Sequence, residues 1–307
     1  MRTYHKLTMT LLVVIFCFIK MGCKSQVEPL RIATYAYSNN DRINNLRPLS
    51  LELEKVLKRP VVISSYSDVL TFIEGMDADE VDIGLINTFG YLLLASENKN
   101  MVPVVTLRIK EGAIDNYKTV LLTTCDSITD LDFLRDNAEK YAMMFVAKGS
   151  TSGNLMPRLL LSSIDITSPE TQFREVSYGG NHMTTLKSLI RGDSDLCAMG
   201  SNEYFKQIRA DSSLVKSLNP LWISEEIPLG PVLLNDNISP SDKRIITEVF
   251  LNLHRTNPLA FDNLKKGWSE AGQAEKFQVI SHGYYDAFRT INGNATDLNN
   301  ILISFDK

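Results

Sequence analysis

Residues 148–161 read KGSTSGNLMPRLLL, a run of glycine and hydroxyl residues followed by an apolar segment. The run comes after the apolar stretch Tyr141–Val146, which has the composition of a β-strand. It therefore lies at a strand-to-helix junction, the basic unit of an α/β protein. Small residues at such a junction indicate either an ordinary loop with a capped helix or a loop whose backbone N–H groups hold an anion. On these residues alone, the ordinary loop is favoured.

The same unit is repeated along the chain, because short apolar runs alternate with amphipathic helical patterns. The predicted strands are Leu30–Tyr35, Val61–Ile63, Val81–Leu85, Val102–Leu107, Tyr117–Thr123, Tyr141–Val146, Phe173–Val176, Leu196–Met199 and Pro231–Leu234. Two clear helices are Pro48–Leu57, with proline at its first turn, and Thr184–Ile190. A chain of 307 residues with 44% apolar composition buries a sizeable core and usually splits into two lobes.

One pattern of helix end, turn, acid, short buried strand and polar cluster occurs twice. Residues 74–88 read EGMDADEVDIGLINT, and residues 191–203 read RGDSDLCAMGSNE. Both polar clusters fall at the carboxyl end of a strand, where ligands bind in open α/β sheets. Two lobes facing each other across a cleft would explain the repeat. The alternative is a chance resemblance between two αβ units.

The N-terminus predicts an export signal over residues 1–22. Basic residues precede an apolar run, Leu7–Ile19, that is about 13 residues long, whereas a membrane span needs about 20. Gly22-Cys23 resembles a bacterial lipobox, so Cys23 is predicted to be lipidated, with residues 23–29 as a tether. Lys20 stands where such boxes usually carry leucine, and plain secretion is the alternative.

Charge, cysteines and histidines exclude several function classes. Removing residues 1–22 removes three basic residues and no acid, which leaves 29 basic and 36 acidic residues; nucleic acid is a poor partner for such a chain. A disulfide between Cys125 and Cys197 is possible in an oxidising compartment, although Cys197 lies in an apolar run typical of a buried strand. The three remaining histidines lack metal-ligand spacing, so neither a metal site nor a cofactor is predicted.

Seven short motifs occur in a fixed order between Leu30 and Ile291. They are Arg47-Pro48-Leu49 with Leu53-Glu54; Val81-Asp82-Ile83; Gly149-Ser150-Thr151-Ser152-Gly153 with Pro157; Tyr178-Gly179-Gly180-Asn181-His182; Gly192 with Asp195; Ile227-Pro228 with Gly230-Pro231; and Tyr285-Asp286 with Phe288-Arg289. In this order the chain resembles the solute-binding proteins of ABC importers for phosphonate, phosphite and phosphate. The resemblance implies the two-lobed, α/β type II periplasmic-binding fold, with the ligand in a cleft between the lobes.

The resemblance also implies a set of ligand-binding residues. They are Ser150, Thr151, Ser152, Gly153, His182, Tyr117, Thr88 and Glu203. In the family the oxyanion is seated on the serine-threonine-serine-glycine loop, where free N–H groups and the helix dipole favour an anion and glycine allows close approach. Thr88 is included by position only. Pro157 lies too deep for the favoured first-turn position of a helix, which predicts an irregular helix start.

Each of the other three predicted contacts has a structural alternative. His182 matches a ligand-contacting histidine of the family, although a lone histidine is usually structural. Tyr117 matches a tyrosine that lines the cleft near the hinge, or it serves packing alone. Glu203 matches an acid that accepts hydrogen bonds from the ligand, or it is a helix cap or first-turn acid.

Two departures from the family pattern bear on the ligand. Leu229-Gly230 stands where aminophosphonate binders carry an Asn-Asp pair, and Val69 stands where a tyrosine is expected. A second carboxylate for a ligand ammonium is therefore expected to be missing. This favours phosphate, phosphite or an alkylphosphonate.

The predicted protein is thus a monomeric binding protein, tethered in the periplasm or at the cell surface, that delivers a small oxyanion to an ABC permease. Lobe 1 is expected over residues 30–122 and 231–307, and lobe 2 over residues 123–230, with hinges near Leu122 and Gly230. A ligand sensor of the same fold, acting with a separate signalling partner, is the alternative. A serine hydrolase is disfavoured because the centre of Gly149–Gly153 is a threonine, where the nucleophile elbow requires serine.

Overall fold

The computed structural model describes residues 28–114, 116–286, 298, 300–302 and 304–305. The predicted signal peptide and Cys23 lie outside these residues. The strands are β1 (Leu30–Tyr35), β2 (Val61–Tyr66), β3 (Ile83–Leu85), β4 (Met101–Ile109), β5 (Thr119–Thr123), β6 (Ala142–Phe145), β7 (Glu175–Tyr178), β8 (Leu196–Gly200), β9 (Asn219–Ile223), β10 (Pro231–Asn235) and β11 (Ala274–Val279). The helices are α1 (Arg42–Leu57), α2 (Val69–Asp77), α3 (Thr88–Glu97), α4 (Leu131–Asn137), α5 (Met156–Ser163), α6 (Pro169–Gln172), α7 (His182–Arg191), α8 (Ser201–Ala210), α9 (Pro240–Thr256) and α10 (Pro258–Lys266). The α/β class is confirmed.

The strands form two sheets with the same internal plan. The first sheet has the order β11-β4-β10-β3-β1-β2, and the second has the order β7-β6-β8-β5-β9. In the first, β1 lies parallel to β2 and β3, and β10 is antiparallel to β3 and β4. In the second, β6 lies parallel to β7 and β8, and β5 is antiparallel to β8 and β9. Strand β11 extends the first sheet only.

The repeated sequence pattern occupies equivalent places in the two sheets. Asp82, just before β3, accepts a hydrogen bond from the backbone N–H of Arg31 in β1 at 2.7 Å. Asp195, just before β8, accepts one from the N–H of Ala142 in β6, also at 2.7 Å. Each acid therefore fastens the start of the neighbouring parallel strand. The repeat reflects two corresponding αβ units rather than chance.

Each sheet has its own apolar core. Three leucines of α1, Leu46, Leu49 and Leu53, are fully buried against the first sheet, at the spacing of one helical face. The second sheet is covered on both sides: Val120 and Leu122 of β5 pack on one face, and Leu121 packs on the other. This is the alternation that a strand imposes on successive side chains.

The structure corrects the predicted first crossing between the lobes. Strand β5 pairs with β8 and β9, so a crossing near Leu122 would fall inside the second sheet. The chain instead passes between the sheets after β4, in the segment whose described residues are 110–114 and 116–118, because the buried run of β5 already belongs to the second core. It returns within residues 224–230, between β9 and β10.

Two strands and a helix start differ from the sequence predictions. Strands β9 and β11 were not predicted, because β11 has no continuous apolar run and the apolar run of β9 is limited to three residues that follow a proline. Helix α1 starts at Arg42 and is capped by Asp41, so Pro48 lies inside the helix instead of in its first turn. The polar residues that open α1 hid its first turn from the apolar pattern.

Two further findings concern cysteines and membrane spans. Cys125 and Cys197 are both free, and Cys197 is fully buried in β8. Among the described residues, no helix combines the length and the apolar character that crossing a bilayer requires.

Candidate ligand-binding cleft

A cleft of about 630 Å³ lies between the two sheets. Five of the predicted ligand-binding residues line it: Tyr117, Ser150, Thr151, His182 and Glu203. Both lobes contribute to its walls, as the family resemblance implied. The remaining three predicted residues are buried beside the cleft or behind its wall.

The serine-threonine-serine-glycine loop forms the start of an irregular helix. Ser150 is the cap residue, and its Oγ accepts a hydrogen bond from the Gly153 N–H at 3.0 Å. The N–H groups of Thr151 and Ser152 lie in the first turn, where a helix provides no backbone acceptor. Two backbone donors at the positive end of the helix can therefore serve an anion. The ordinary cap and the anion seat coexist in this loop.

The predicted irregular helix start is confirmed as a π-helical turn, Thr151–Leu155, that precedes α5. The Leu155 N–H donates to the Ser150 carbonyl at 3.0 Å, one residue further back than in an α-helix. Pro157 has no N–H to offer the Gly153 carbonyl, which instead accepts from the N–H of Val146 at 2.9 Å. The proline thus lets the loop fold back onto the end of the strand.

The three hydroxyls of the loop have different roles. Ser150 Oγ caps the helix, and Thr151 Oγ1 accepts a hydrogen bond from the Phe89 N–H of α3 in the other lobe at 3.0 Å. Ser152 Oγ is fully buried and has no hydrogen-bond partner within the described chain. A buried hydroxyl without a partner costs about 1–3 kcal/mol, and a ligand oxygen would remove that cost. Ser152 is therefore the hydroxyl best placed to contact the anion.

His182 is the first residue of α7 and presents a neutral imidazole to the cleft. Its Nδ1 accepts a hydrogen bond from the Gly200 N–H at 3.2 Å, which leaves the proton on Nε2. Burial lowers the pKa of His182 to about 4, so the ring is uncharged at neutral pH. A β-carbon placed on Gly200 would lie 3.2 Å from Ser152 Oγ and 3.4 Å from His182 Cε1. The two donors therefore flank Gly200 side by side.

Tyr117 lies on the first crossing between the lobes. Its carbonyl accepts a hydrogen bond from the Ile227 N–H of the second crossing at 2.8 Å, which joins the two crossings directly. Its phenol faces Ser152 without reaching hydrogen-bond geometry, and burial raises its pKa, so it remains a neutral donor. The residue thus serves both the hinge and the cleft wall.

Glu203 and Thr88 have different positions relative to the cleft. Glu203 lines it from the first turn of α8 and forms an ion pair with Lys206 at 3.7 Å, so its two predicted roles are compatible. Thr88 begins α3, but its hydroxyl donates to the Pro228 carbonyl at 2.5 Å. Thr88 is buried and does not line the cleft, and its hydroxyl fastens the second crossing.

Sequence reasoning missed three residues of the cleft wall: Tyr37, Arg42 and Glu270. Tyr37 and Arg42 follow β1 in the first lobe, at the position equivalent to the loop that follows β6 in the second lobe. The correspondence between the segments that follow β1 and β6 could therefore have pointed to Tyr37 and Arg42 as cleft residues. Glu270 lies in a short turn, Ser269–Ala271, and no motif in the sequence marks it.

Glu270 also corrects the expectation that a second carboxylate is missing. It lines the same cleft as Glu203, although Leu229, where the family motif would place an acid, is buried in the second crossing. Burial raises the pKa of Glu270, and the charge of Arg42 opposes that rise. Both carboxyl groups therefore have a cation near them, Glu203 through Lys206 and Glu270 through Arg42.

The two lobes touch beside the anion loop. The Asn87 side-chain amide donates to the Gly149 carbonyl at 2.8 Å. Gly149 also packs so closely on Val69 of α2 that a β-carbon at this position would overlap a Val69 methyl group. With the Phe89–Thr151 hydrogen bond, these contacts bring the start of α3 directly against the loop. The loop is therefore shaped by both lobes.

A family model described as "ABC transporter, phosphonate, periplasmic substrate-binding protein" matches residues 32–285. The chain belongs to this phosphonate-binding family. Its predicted family, its periplasmic binding-protein class and its assignment as a binding protein rather than an enzyme are confirmed.

Three similar proteins illustrate the range of the phosphonate-binding family. The chain is 26% identical over 216 residues to the phosphate-import protein PhnD of Mycolicibacterium smegmatis, a match that covers 67% of this chain and 65% of that protein. The chain thus spans just under two thirds of that relative's length.

A binding protein component of an ABC phosphonate transporter from Pseudomonas aeruginosa has a similar structure, with a TM-score of 0.65 and 18% identity. The match covers 91% of this chain and 94% of that one. PhnD1 of Prochlorococcus marinus in complex with methylphosphonate gives a TM-score of 0.66 and 16% identity, covering 85% and 96%. The two-lobed type II fold is confirmed by these structures.

Proposed function

We propose that the protein captures a phosphorus oxyanion, namely phosphate, phosphite or a short alkylphosphonate, and delivers it to an ABC permease. The observation that carries the proposal is the buried, unpartnered Ser152 hydroxyl beside the free N–H groups of the loop. The names of two similar proteins, one a phosphate importer and one a methylphosphonate complex, support the same class of ligand.

The donors of this seat are neutral, and that favours an anion that must be released again. Backbone N–H groups, hydroxyls and the neutral His182 imidazole each donate a hydrogen bond, and a bond to a charged partner contributes about 1.5–3 kcal/mol. Several such bonds suffice for tight binding without a fixed positive charge at the loop. An ionised carboxylate only accepts hydrogen bonds, so Glu203 suits an oxyanion that still carries a proton.

The same geometry disfavours a ligand ammonium. Glu203 is paired with Lys206, and Glu270 feels the charge of Arg42, so neither carboxyl group is free of a cation. Burying an ammonium without an available counter-charge is costly. We expect phosphate, phosphite or methylphosphonate to bind at least tenfold more tightly than aminoethylphosphonate, a difference of about 1.4 kcal/mol.

Calorimetric titration of the mature protein with these ligands and with sulfate tests the proposal. Tight binding of sulfate alone, or of none of the oxyanions, would contradict it. Tighter binding of aminoethylphosphonate would preserve the phosphonate class and show that one of the two carboxyl groups receives the ammonium.

We infer in addition that Cys23 is lipidated and anchors the protein at the membrane. The support is the short apolar run that ends at Gly22-Cys23. Fractionation of cells that express Cys23→Ala should move the protein from the membrane to the soluble fraction. A variant that stays with the membrane would exclude the anchor.

A further inference from the structure

The cleft is much larger than the anion that the loop would hold. Its volume of about 630 Å³ equals the liquid volume of roughly twenty waters, at about 30 Å³ each. A phosphorus oxyanion with five heavy atoms fills only a small part of it. The remaining space extends away from the loop toward the first lobe, where Tyr37, Arg42 and Glu270 form the wall.

Arg42 is a buried cation in that wall. It is only 4% exposed, and its guanidinium donates to the carbonyls of Gly267 at 2.8 Å and Tyr35 at 2.9 Å. Its Cζ lies 4.4 Å from the centre of the Tyr35 ring and 4.5 Å from that of Trp268. In the described part of the chain it forms no ion pair within 4.0 Å. The charge is held by backbone carbonyls and aromatic rings, and Glu270 acts on it without forming an ion pair.

Tyr37 connects this cation with the anion loop. Its ring centre lies 6.1 Å from that of His182 and 5.7 Å from Arg42 Cζ. Its hydroxyl is buried near the His182 backbone N–H and, among the described residues, has no partner at full hydrogen-bond geometry. Unlike Ser152, which lies behind the cleft wall, Tyr37 lines the cleft. An additional ligand group between His182 and Arg42 would satisfy the Tyr37 hydroxyl.

We propose that Arg42 and Tyr37 form a second subsite that binds a carboxylate, so that the preferred ligands are short carboxyalkylphosphonates with their phosphonate on the loop. This inference rests on the proposed function of the loop. The planar guanidinium can pair with both oxygens of a carboxylate, and the Tyr37 hydroxyl supplies a further donor. A ligand ammonium at this place would meet a like charge.

The charged groups around the subsite are compatible with a carboxylate. Glu270 faces it from the turn after α10, Glu203 and Lys206 from α8, and Asp68 from the cap of α2. Glu270 is the acid that shares the Arg42 wall, and burial raises its pKa, which reduces its repulsion of an anion. In its neutral form it can also donate a hydrogen bond to the ligand.

Calorimetry with two ligand pairs of similar size tests the subsite. We compare phosphonoacetate with ethylphosphonate, and 3-phosphonopropionate with propylphosphonate. At least one carboxylate ligand should bind tenfold or more tightly than its alkyl counterpart. Tyr37→Phe keeps the ring and removes the hydroxyl, and it should weaken the carboxylate ligand several-fold while changing the alkyl ligand less than twofold.

Arg42→Gln should abolish the preference for the carboxylate, with Arg108→Gln as the control. Arg108 is a half-exposed arginine paired with Glu275 on the first sheet, away from the cleft. If Arg42→Gln does not fold, Tyr37→Phe decides alone.

Absence of a carboxylate preference in the parent protein, with ethylphosphonate bound normally, overturns the subsite and leaves the proposed function intact. Equal weakening of both ligands by Tyr37→Phe also overturns it, because Tyr37 would then belong to the phosphonate seat. Failure of both ligands to bind overturns the subsite, and it contradicts the proposed function only if phosphate, phosphite and methylphosphonate fail to bind as well.

Discussion

Ser152 and Ser194 both carry a buried hydroxyl that has no partner among the described residues. Ser152 lies behind the cleft wall, in the loop whose Ser150 and Thr151 line the cleft, whereas Ser194 lies in the turn before β8, away from the cleft. In the free protein, each hydroxyl carries the cost of a lost hydrogen bond to water. Comparing the two serines therefore distinguishes a hydroxyl that binds the ligand from one that affects only stability.

Replacing each serine by alanine should give opposite results for binding. Ser152→Ala should leave the free protein as stable as the parent or more stable, and weaken oxyanion binding by about 1.5–3 kcal/mol. Ser194→Ala should have a similar effect on stability and none on affinity. Urea unfolding and calorimetric titration measure the two quantities. Equal affinities in both variants would show that Ser152 does not contact the ligand.

His182 makes both stability and binding depend on pH. Burial lowers its pKa from 6.5 to about 4, so below about pH 6.5 the unfolded chain takes up a proton that the folded protein does not. Its contribution to the free energy of unfolding is present above pH 6.5 and is lost as the pH falls toward 4. An anion beside Nε2 favours the imidazolium and should raise the pKa in the complex. Binding at pH 5 should then be accompanied by proton uptake.

NMR titration of the His182 imidazole checks this in the free and ligand-bound protein. The midpoint should lie near pH 4 without ligand and move upward with phosphate or methylphosphonate. His182→Gln, which keeps a side-chain donor, should bind with less dependence on pH. A midpoint that the ligand does not move would place the anion away from His182.

At the scale of elements, the start of α3 and the anion loop fit together through Gly149. The absence of a side chain at Gly149 leaves room for a Val69 methyl group, and Thr151 accepts the Phe89 N–H. Contact between the lobes therefore depends on the size of one residue on each side. Overpacking of this kind typically costs about 1–3 kcal/mol.

Gly149→Ala should weaken oxyanion binding about tenfold or more, because the added methyl group separates the lobes. Val69→Ala removes the opposing methyl groups, so the double variant should recover most of the affinity. Gly272→Ala is the matched control, since a β-carbon there meets its nearest atom at an ordinary 3.6 Å. Affinities from calorimetry, with small-angle scattering to follow lobe separation, decide it. A double variant as weak as Gly149→Ala alone would disprove the steric explanation.

At the scale of the whole molecule, two chain crossings hold the lobes and run side by side. Their described residues are 110–114 with 116–118 and 224–230, and the Ile227 N–H donates to the Tyr117 carbonyl between them. A ligand that contacts both lobes should therefore restrain the crossings as well as the cleft walls. A ligand that contacts only the loop should restrain the second lobe alone.

Hydrogen exchange distinguishes these outcomes. At a ligand concentration one hundred times the dissociation constant, the free energy of unfolding should rise by about 2.7 kcal/mol. Amide protection should increase in residues 116–118 and 224–230 and at the start of α3, in addition to the loop. Added protection confined to residues 149–156 would mean that binding does not couple the lobes.

The sequence alone determined the features that local physics controls. Short apolar runs marked nine of the strands, including the half-exposed edge strands β2 and β7, because apolar and β-branched residues favour the extended backbone. The loop at Ser150–Gly153 and the irregular start forced by Pro157 also followed from neighbouring residues. The repeated acid before β3 and β8 was compatible with two corresponding units or with chance, and the hydrogen bonds of Asp82 and Asp195 decided for the first.

Only the tertiary structure decided which residues meet in the cleft. Arg42 is fixed by the carbonyl of Gly267, 225 residues away, and Thr151 by the Phe89 N–H, 62 residues away. Position alone made Thr88 a candidate ligand donor, but its hydroxyl donates to the Pro228 carbonyl, 140 residues along the chain. Such pairings depend on how the two sheets are placed relative to each other, and the residues of one local segment do not determine that placement. The lobe to which β5 belongs was hidden for the same reason: an apolar strand fits either core, and only its pairing with β8 and β9 selects one.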